Sequence, residues 1–211
     1  MSKNWVKLRG YYGGDITHAM AAWTSTNTEL TEERRERIPG LLKMLADNDH
    51  GTPYERSLLH FYGAFDTCSH IHLLKHRHFS VNGESARYKE YTEDKYYIPE
   101  DFDSESRGLL AERSLLAYQE YHDYLLMPIE GMTRKRAKES ARYFLPYAIQ
   151  VNLDFSCNFR AFVHFQKLRN SPDAQLEIRE IAAEMLRLVQ EETNGAFTSS
   201  LGAFRLGPVL A

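Results

Sequence analysis

The chain is poor in the features that would remove it from the ordinary globular class. Two of its 211 residues are cysteine, Cys68 and Cys157, too few for a disulfide scaffold and without a metal-ligand spacing. No apolar run approaches the roughly 18–20 residues that span a bilayer. The opening Met1-Ser2-Lys3-Asn4-Trp5 lacks the apolar core of a secretory signal, so the expectation is a cytoplasmic protein with reduced thiols. Neither a low-complexity linker nor an internal repeat interrupts residues 1–211, which therefore read as one domain. There is no excess of positive charge either. A formal net charge of −3 argues against bulk binding to nucleic acid or an anionic membrane. What is present, 43% hydrophobic and 26% charged residues, suits a globular domain able to bury a core.

Hydrophobic periodicity supplies the elements. Residues 31–47 read as a helix with Thr31 as N-cap and Ile38, Leu41, Leu42 and Leu45 on one side, kinked or broken at Pro39-Gly40. A helical turn follows Pro53, a strand covers 60–65, and a helix over 66–75 delivers Lys75. Long helices are predicted over 104–126 and from Thr133 to about Phe144, the latter stopped by Pro146. Ile149, Val151, Leu153 and Phe155 alternate within 147–157 as a strand does. A helix over 158–168 follows. Another opens at Ser171-Pro172, with Ser171 as N-cap and a buried stripe from Ile178 to Val189. Helices and strands in irregular order, without repeating βα units, predict an α+β fold with a central antiparallel or mixed sheet flanked by long helices.

The segment Lys75-His76-Arg77-His78-Phe79-Ser80-Val81-Asn82-Gly83-Glu84-Ser85-Ala86-Arg87-Tyr88 is unlike the rest. Cations are followed at once by short hydroxyl and amide residues, a mixture suited to phosphate: Arg offers forked donors and small residues let backbone N–H groups approach. In a mildly acidic chain, a local basic motif favours a small anion over a polymer.

Three blocks together resemble the flavin-dependent thymidylate synthases. The first is His50-x-Thr52-Pro53-x-Glu55. The second is Lys75-His76-Arg77, seven residues, then Ser85. The third runs from Arg142 through Leu145-Pro146, Asn158-x-Arg160 and Leu168-Arg169 to Asp173-Ala174-Gln175-x-Glu177-Ile178. The resemblance implies a homotetramer with sites shared between subunits. It implies FAD as cofactor, NADPH as reductant, methylenetetrahydrofolate as carbon donor, and conversion of dUMP to dTMP.

The resemblance also distributes roles. Arg169 matches the arginine that contacts the pyrimidine and is the catalytic candidate; outside the family it would be a helix C-terminal cation complementing the dipole. The nucleotide is expected against His72, Lys75, Gly83, Glu84, Ser85, Ala86, Arg87, Arg142 and Arg169, with Arg87 and Arg142 on the phosphate. FAD is expected against Thr52, Lys75, His76, Arg77, Asn82, Gly83, Asn158, Phe159, Arg160 and His164. Glu55 and Ser25 match less closely, and His50 matches a histidine near the substrate entrance. The chain departs from the family pattern in four places. Lys75 stands where Arg is usual, Gly83 lacks the carboxylate often found there, His72 replaces glutamine, and His164 replaces asparagine. Another pyrimidine nucleotide, or a hydroxymethyl product, is therefore an open alternative.

Two readings belong to other classes. His70, His72, His76 and His78 invite a metal site, since His72 and His76 share a helix face, but no HExxH-type pattern completes it. Lys75, Arg77, Arg87 and Lys89 with Phe79, Tyr88 and Tyr91 would suit a module that stacks single-stranded RNA. The acidic balance of the chain weighs against a broad basic groove.

Overall fold

The computed structural model describes residues 2–26 and 29–206; the rest of the 1–211 span lies outside the described residues. In chain order the elements are β1 (Trp5–Tyr12), α1 (Asp15–Ala22), α2 (Glu32–Asp47), β2 (Leu58–Asp66), α3 (Thr67–Leu74) and β3 (Phe79–Gly83). Then follow α4 (Ser104–Leu126), α5 (Arg134–Ala141), β4 (Gln150–Cys157), α6 (Phe159–Arg169), α7 (Leu176–Glu192) and α8 (Thr198–Ala203). The four strands form one antiparallel sheet in the order β1-β2-β4-β3, so the α+β class expected from the sequence is the one observed.

Caps account for the helix starts. Thr31, Asp103, Thr133 and Asn158 each accept a hydrogen bond from the backbone N–H three residues on, satisfying one of the first turn's orphan donors. The alternation in β4 is real: Val151, Leu153, Phe155 and Cys157 are buried, and Asn152, Asp154 and Ser156 lie on the other face.

Two expectations need correction, and four short elements were not predicted. Helix α2 is continuous through Pro39; the carbonyl deprived of its amide partner is that of Arg35, on the exposed side, where the loss is small. The helix expected from Ser171 begins only at Leu176. Ser171 instead closes a turn, its hydroxyl accepting from the Asp173 N–H and its carbonyl from the Ala174 N–H, a local competition that delays the helix. Strand β3 lies inside the basic motif. Finally β1, α1 and α8 carried too short or too mixed a pattern to be foreseen: Val6 is the one fully buried residue of β1.

The chain divides into two compact units. The first comprises Gly63–Leu73 and Asn82–Leu153 with the N-terminal residues up to Trp5. Its helical end is built on Tyr121, Leu125 and Ala141, with Tyr91, Tyr124 and Leu145 packed against them. The Tyr118 hydroxyl donates to the Lys95 carbonyl at 2.7 Å, and the Tyr121 hydroxyl accepts from the Tyr91 N–H at 3.1 Å. These bonds staple the loop after β3 onto α4.

The second unit comprises Val6–Tyr62, Leu74–Val81 and the chain from Asp154 on. Its core is aromatic. Phe61, Phe79 and Phe155 from the strands meet Phe162 and Phe165 from α6, with ring centroids 5.3–6.4 Å apart. Behind them Phe159 stacks on Phe197 at 5.3 Å.

His18 of α1 is completely buried in that core and hydrogen-bonded at both nitrogens. Nε2 lies 2.8 Å from the Ser57 hydroxyl, and Nδ1 lies 2.8 Å from that of Ser200. Ser200 spends its one hydroxyl proton on the Asp15 carboxylate at 2.6 Å. Nδ1 must therefore be the donor to Ser200, and Nε2 the acceptor from Ser57. Burial pushes the His18 pKa down to about 4. The folded value lies below the unfolded one, so this contribution to stability is complete above about pH 6.5 and is lost as pH falls toward 4. It amounts to about 3 kcal/mol. Denaturant titrations from pH 7 to 4 should show about one proton taken up on unfolding in this window. That uptake should be absent from His18→Gln.

Candidate functional site

Helix α6 is the main scaffold of the second unit's site. The Asn158 side-chain oxygen caps it at 2.8 Å from the Ala161 N–H. Phe159, Phe162 and Phe165 bury one face, which leaves Arg160, His164 and Lys167 on the exposed stripe at helical spacing. Arg160 is held by a 2.6 Å ion pair to Glu55 of the turn Thr52–Glu55. Its guanidinium lies over the backbone of Gly51, where a Cβ would stand 2.6 Å from Arg160 Nε. Glycine is needed there for that close approach. Two adjoining clefts open on either side of Arg160. One, about 550 Å³, is lined by Thr24, His50, Thr52 and Arg56; the other, about 330 Å³, by His164, Lys167 and Phe204. Of the foreseen cofactor contacts, Thr52 and Arg160 line the first cleft and Arg160 and His164 the second, with Asp49 lining both. Asn158 and Phe159 have structural duties beside it: the first caps α6, and the second is wholly buried and offers a ligand only its backbone.

The basic motif meets the end of α6 within the same unit. Arg169 Nε donates to His76 Nε2 at 3.0 Å. His76 is therefore neutral at Nε2, with its ring edge-on to Phe165 at 4.9 Å and to His164 at 5.7 Å. The bond ties one edge of the Arg169 guanidinium and leaves its terminal amino groups to address a ligand. Lys75 and Arg77, on either side of buried His76, are exposed.

The first unit holds the rest. His72 lies on α3, half-buried. Asn82 is exposed at the end of β3, and Gly83 is covered by Leu153 and His70: a Cβ there would meet Leu153 Cδ2 at 3.3 Å and His70 Cε1 at 3.7 Å. Burial lowers the His70 pKa, so its imidazole is neutral near pH 7. Glu84 is turned onto β4, its carboxylate accepting from the Asn152 amide at 2.7 Å while its N–H donates to the Asn152 carbonyl at 2.8 Å. Ser85 opens a turn, its carbonyl accepting from the Tyr88 and Lys89 N–H groups, and Ala86 is the buried root of that turn. Arg87 is exposed and ion-paired to Glu139 of α5 at 3.0 Å. Arg142, one residue beyond α5, lines a small pocket of about 180 Å³ with Thr67, Tyr91 and Tyr147.

Several contributors were not foreseen. Glu139, Arg136, Arg56 and Lys167 lie outside the quoted motif residues; the clustering of Arg134, Lys135, Arg136 and Lys138 on one short helix is a signal for the first two, and nothing local marked Arg56 or Lys167. Among the described residues no group of His, Cys, Asp or Glu is placed to hold a metal ion; His76 is committed to Arg169 and His70 lies beside Gly83. Burial pushes the Cys157 thiol well above its ordinary range, so it is no nucleophile. No described helix is long and apolar enough to cross a membrane.

Cations and hydroxyl groups around clefts of this size have the chemistry to take up a phosphorylated small molecule. Comparison narrows the class. The family model described as thymidylate synthase complementing protein matches residues 7–193. A flavin-dependent thymidylate synthase of Mycobacterium avium (strain 104) is 31% identical over 170 residues, covering 75% of this chain and 68% of its own length. That of Mycobacterium tuberculosis (strain ATCC 25618 / H37Rv) is 33% identical over 161 residues, covering 70% of this chain and 64% of its own. The chain thus spans about two thirds of the length of the curated relatives it matches. A solved structure, the UMP/dUMP methylase PolB from Streptomyces cacaoi bound with 5-Br dUMP, superposes with a TM-score of 0.80. The two are 26% identical, with 98% of this chain and 96% of that one covered. The same enzyme bound with 5-Br UMP gives 0.78 at 25% identity. The chain belongs to the thymidylate synthase complementing protein family, whose named members are flavin-dependent methyltransferases.

The donor set is compatible with the flavin that the relatives' names state for them: Gly51 lacks the atom that would displace Arg160, and Arg160, Lys167, His164 and Thr52 carry N–H and O–H donors of the kind a pyrophosphate takes. Placing FAD in these clefts predicts that Arg160→Ala weakens FAD binding at least about tenfold. Gly51→Ala, which displaces the same guanidinium, should weaken it in the same direction. Quenching of FAD fluorescence on titration with protein measures both.

Proposed function

We propose that this chain is a flavin-dependent thymidylate synthase that reductively methylates dUMP to dTMP, with methylenetetrahydrofolate as carbon donor and NADPH as reductant. The observation that carries the reading is the Arg169–His76 hydrogen bond at 3.0 Å. It joins the arginine assigned to the pyrimidine to the motif assigned to the flavin, within one folded unit. Whole-chain residues 1–211 act as a single domain of the family, and the sites are completed between subunits of a homotetramer. A cytoplasmic location belongs to the same proposal.

Each residue set has a task. Arg169, with Nε fixed by His76, directs its amino groups to the O4–N3 edge of uracil. A positive charge held there stabilises negative charge on the ring and makes C5 nucleophilic toward the one-carbon unit. C5 gains that carbon and gives up its proton. When bound, reduced FAD supplies the hydride that completes the methyl group. His164, Arg160, Thr52 and Lys167 hold the dinucleotide. Lys75, Arg77, Asn82 and the Gly83 backbone line the flavin and nucleotide, although Lys75 brings a point charge rather than a planar fork. Arg87 and Arg142 grip the nucleotide phosphate, and His72, Ser85 and Ala86 shape the pocket around it. Glu84 acts through Asn152, fixing the strand that carries Gly83.

A second reading keeps the chemistry and changes the sugar: UMP as substrate. It rests on similarity across almost the whole chain to a protein whose description names both nucleotides, a UMP/dUMP methylase. Incubation with FAD, NADPH, methylenetetrahydrofolate and either dUMP or UMP, followed by mass analysis, decides between them. A product heavier by one methylene from dUMP supports thymidylate synthesis. The same gain from UMP alone replaces that reading with the second, a hydroxymethyl adduct changes the product, and no product from either refutes both. Arg169→Ala should lower the rate about 10²–10³-fold with FAD still bound; a near-normal rate would remove Arg169 from its role.

A further inference from the structure

Glu139 lies at the centre of the first unit's cationic cluster. Its Oε1 accepts from Arg87 Nε at 3.1 Å and pairs with Arg87 Nη2 at 3.0 Å. Its Oε2 is 3.5 Å from Arg136 Nη1. Its backbone carbonyl accepts from Arg142 Nε at 3.3 Å. One residue of α5 therefore touches three arginines, and it meets both Arg87 and Arg142 along their Nε edges. A guanidinium tied by that edge keeps terminal amino groups free for a bidentate partner. The neighbouring cations are occupied elsewhere: Arg134 pairs with Glu90 at 2.6 Å and Lys138 with the same carboxylate at 3.5 Å. Arg142 also lines the small pocket with Thr67, Tyr91 and Tyr147. The Glu139 carboxylate is only partly exposed, and the Arg87 contact holds it below the usual carboxylate range, so it remains charged across the working pH.

We propose that Glu139 is a positioning residue for the nucleotide's phosphate, holding Arg87 through its carboxylate and Arg142 through its carbonyl, with Arg136 as a third cation drawn to the same place. This rests on the reading of Arg87 and Arg142 as phosphate ligands. The arrangement resolves a physical problem. Three arginines that converge repel one another and, on flexible stems, disperse when no anion is present. A carboxylate behind them offsets that repulsion and restricts their rotamers before the phosphate arrives, so less order has to be imposed on binding.

The proposal predicts a sign that plain electrostatics does not. Removing a negative charge near a phosphate site should, from the field alone, tighten binding of an anion. Removing a positioning carboxylate should weaken it. Calorimetric titration of the FAD-loaded protein with dUMP (UMP, if that is the substrate) separates the two. Glu139→Gln should raise Kd about tenfold, and Glu139→Asp, which keeps the charge but withdraws it by one methylene, should also weaken binding. Glu139→Gln should add little once Arg87 is Ala, because the two act together. Tighter or unchanged binding in Glu139→Gln, with Glu139→Asp like the parent, would overturn the proposal. So would full additivity with Arg87→Ala. If Arg87→Ala and Arg142→Ala themselves leave Kd unchanged, the phosphate reading fails first. Should Glu139→Gln unfold, Glu139→Asp and the Arg87 cycle built on it carry the same test.

Discussion

The burial of α6 against the strands is the constraint on which the second unit's site depends. Phe159, Phe162 and Phe165 fix the rotation of the helix, because turning any of them out would open a cavity costing about 3–5 kcal/mol. With the rotation fixed, Arg160, His164 and Lys167 have one direction in which to point, and Arg169 at the helix end reaches His76. The functional residues do not place themselves. Aromatic packing on the opposite face of the same helix places them.

The first unit solves a different problem. Its site is electrostatic rather than steric, built where a short basic helix, the turn after β3 and the chain beyond α5 bring like charges together. Glu139 and Glu90 divide those cations into two sets, so that α5 can be strongly basic without being torn from α4. The hydroxyls of Tyr118 and Tyr121 staple the intervening loop, which otherwise has little apolar surface to hold it. Each unit thus uses the cheapest local means of fixing long cationic side chains: a packed aromatic face in one, acidic partners in the other.

Much of this was legible before any coordinates. The cap at Thr31, the helix start near Thr133, the alternation in β4 and the stripe of α7 are local patterns, and local hydrogen bonding and burial reproduced them. The family blocks named Thr52, His76, Arg87, Arg160 and Arg169. What failed was also local in cause. Ser171-Pro172 has the chemistry of a helix start, yet its side chain closes a turn instead. Pro39 has the chemistry of a break, yet its helix continues because the disrupted carbonyl is on the exposed side. Strand β3 was hidden because five residues with one buried anchor, Phe79, carry too little periodicity to register.

From sequence alone came the class of fold, because it is written in short-range periodicity, and the family, because three motif blocks in register carry it. Tertiary structure alone decided which of the motif side chains are free for a ligand and which are engaged. Phe159 is sealed in the core, Glu84 is spent on Asn152, Arg169 is paired with His76, and Arg87 is paired with Glu139, 52 positions away in the chain. Contacts of that separation depend on how packed surfaces meet, and no local pattern in a single chain encodes where two distant side chains will touch.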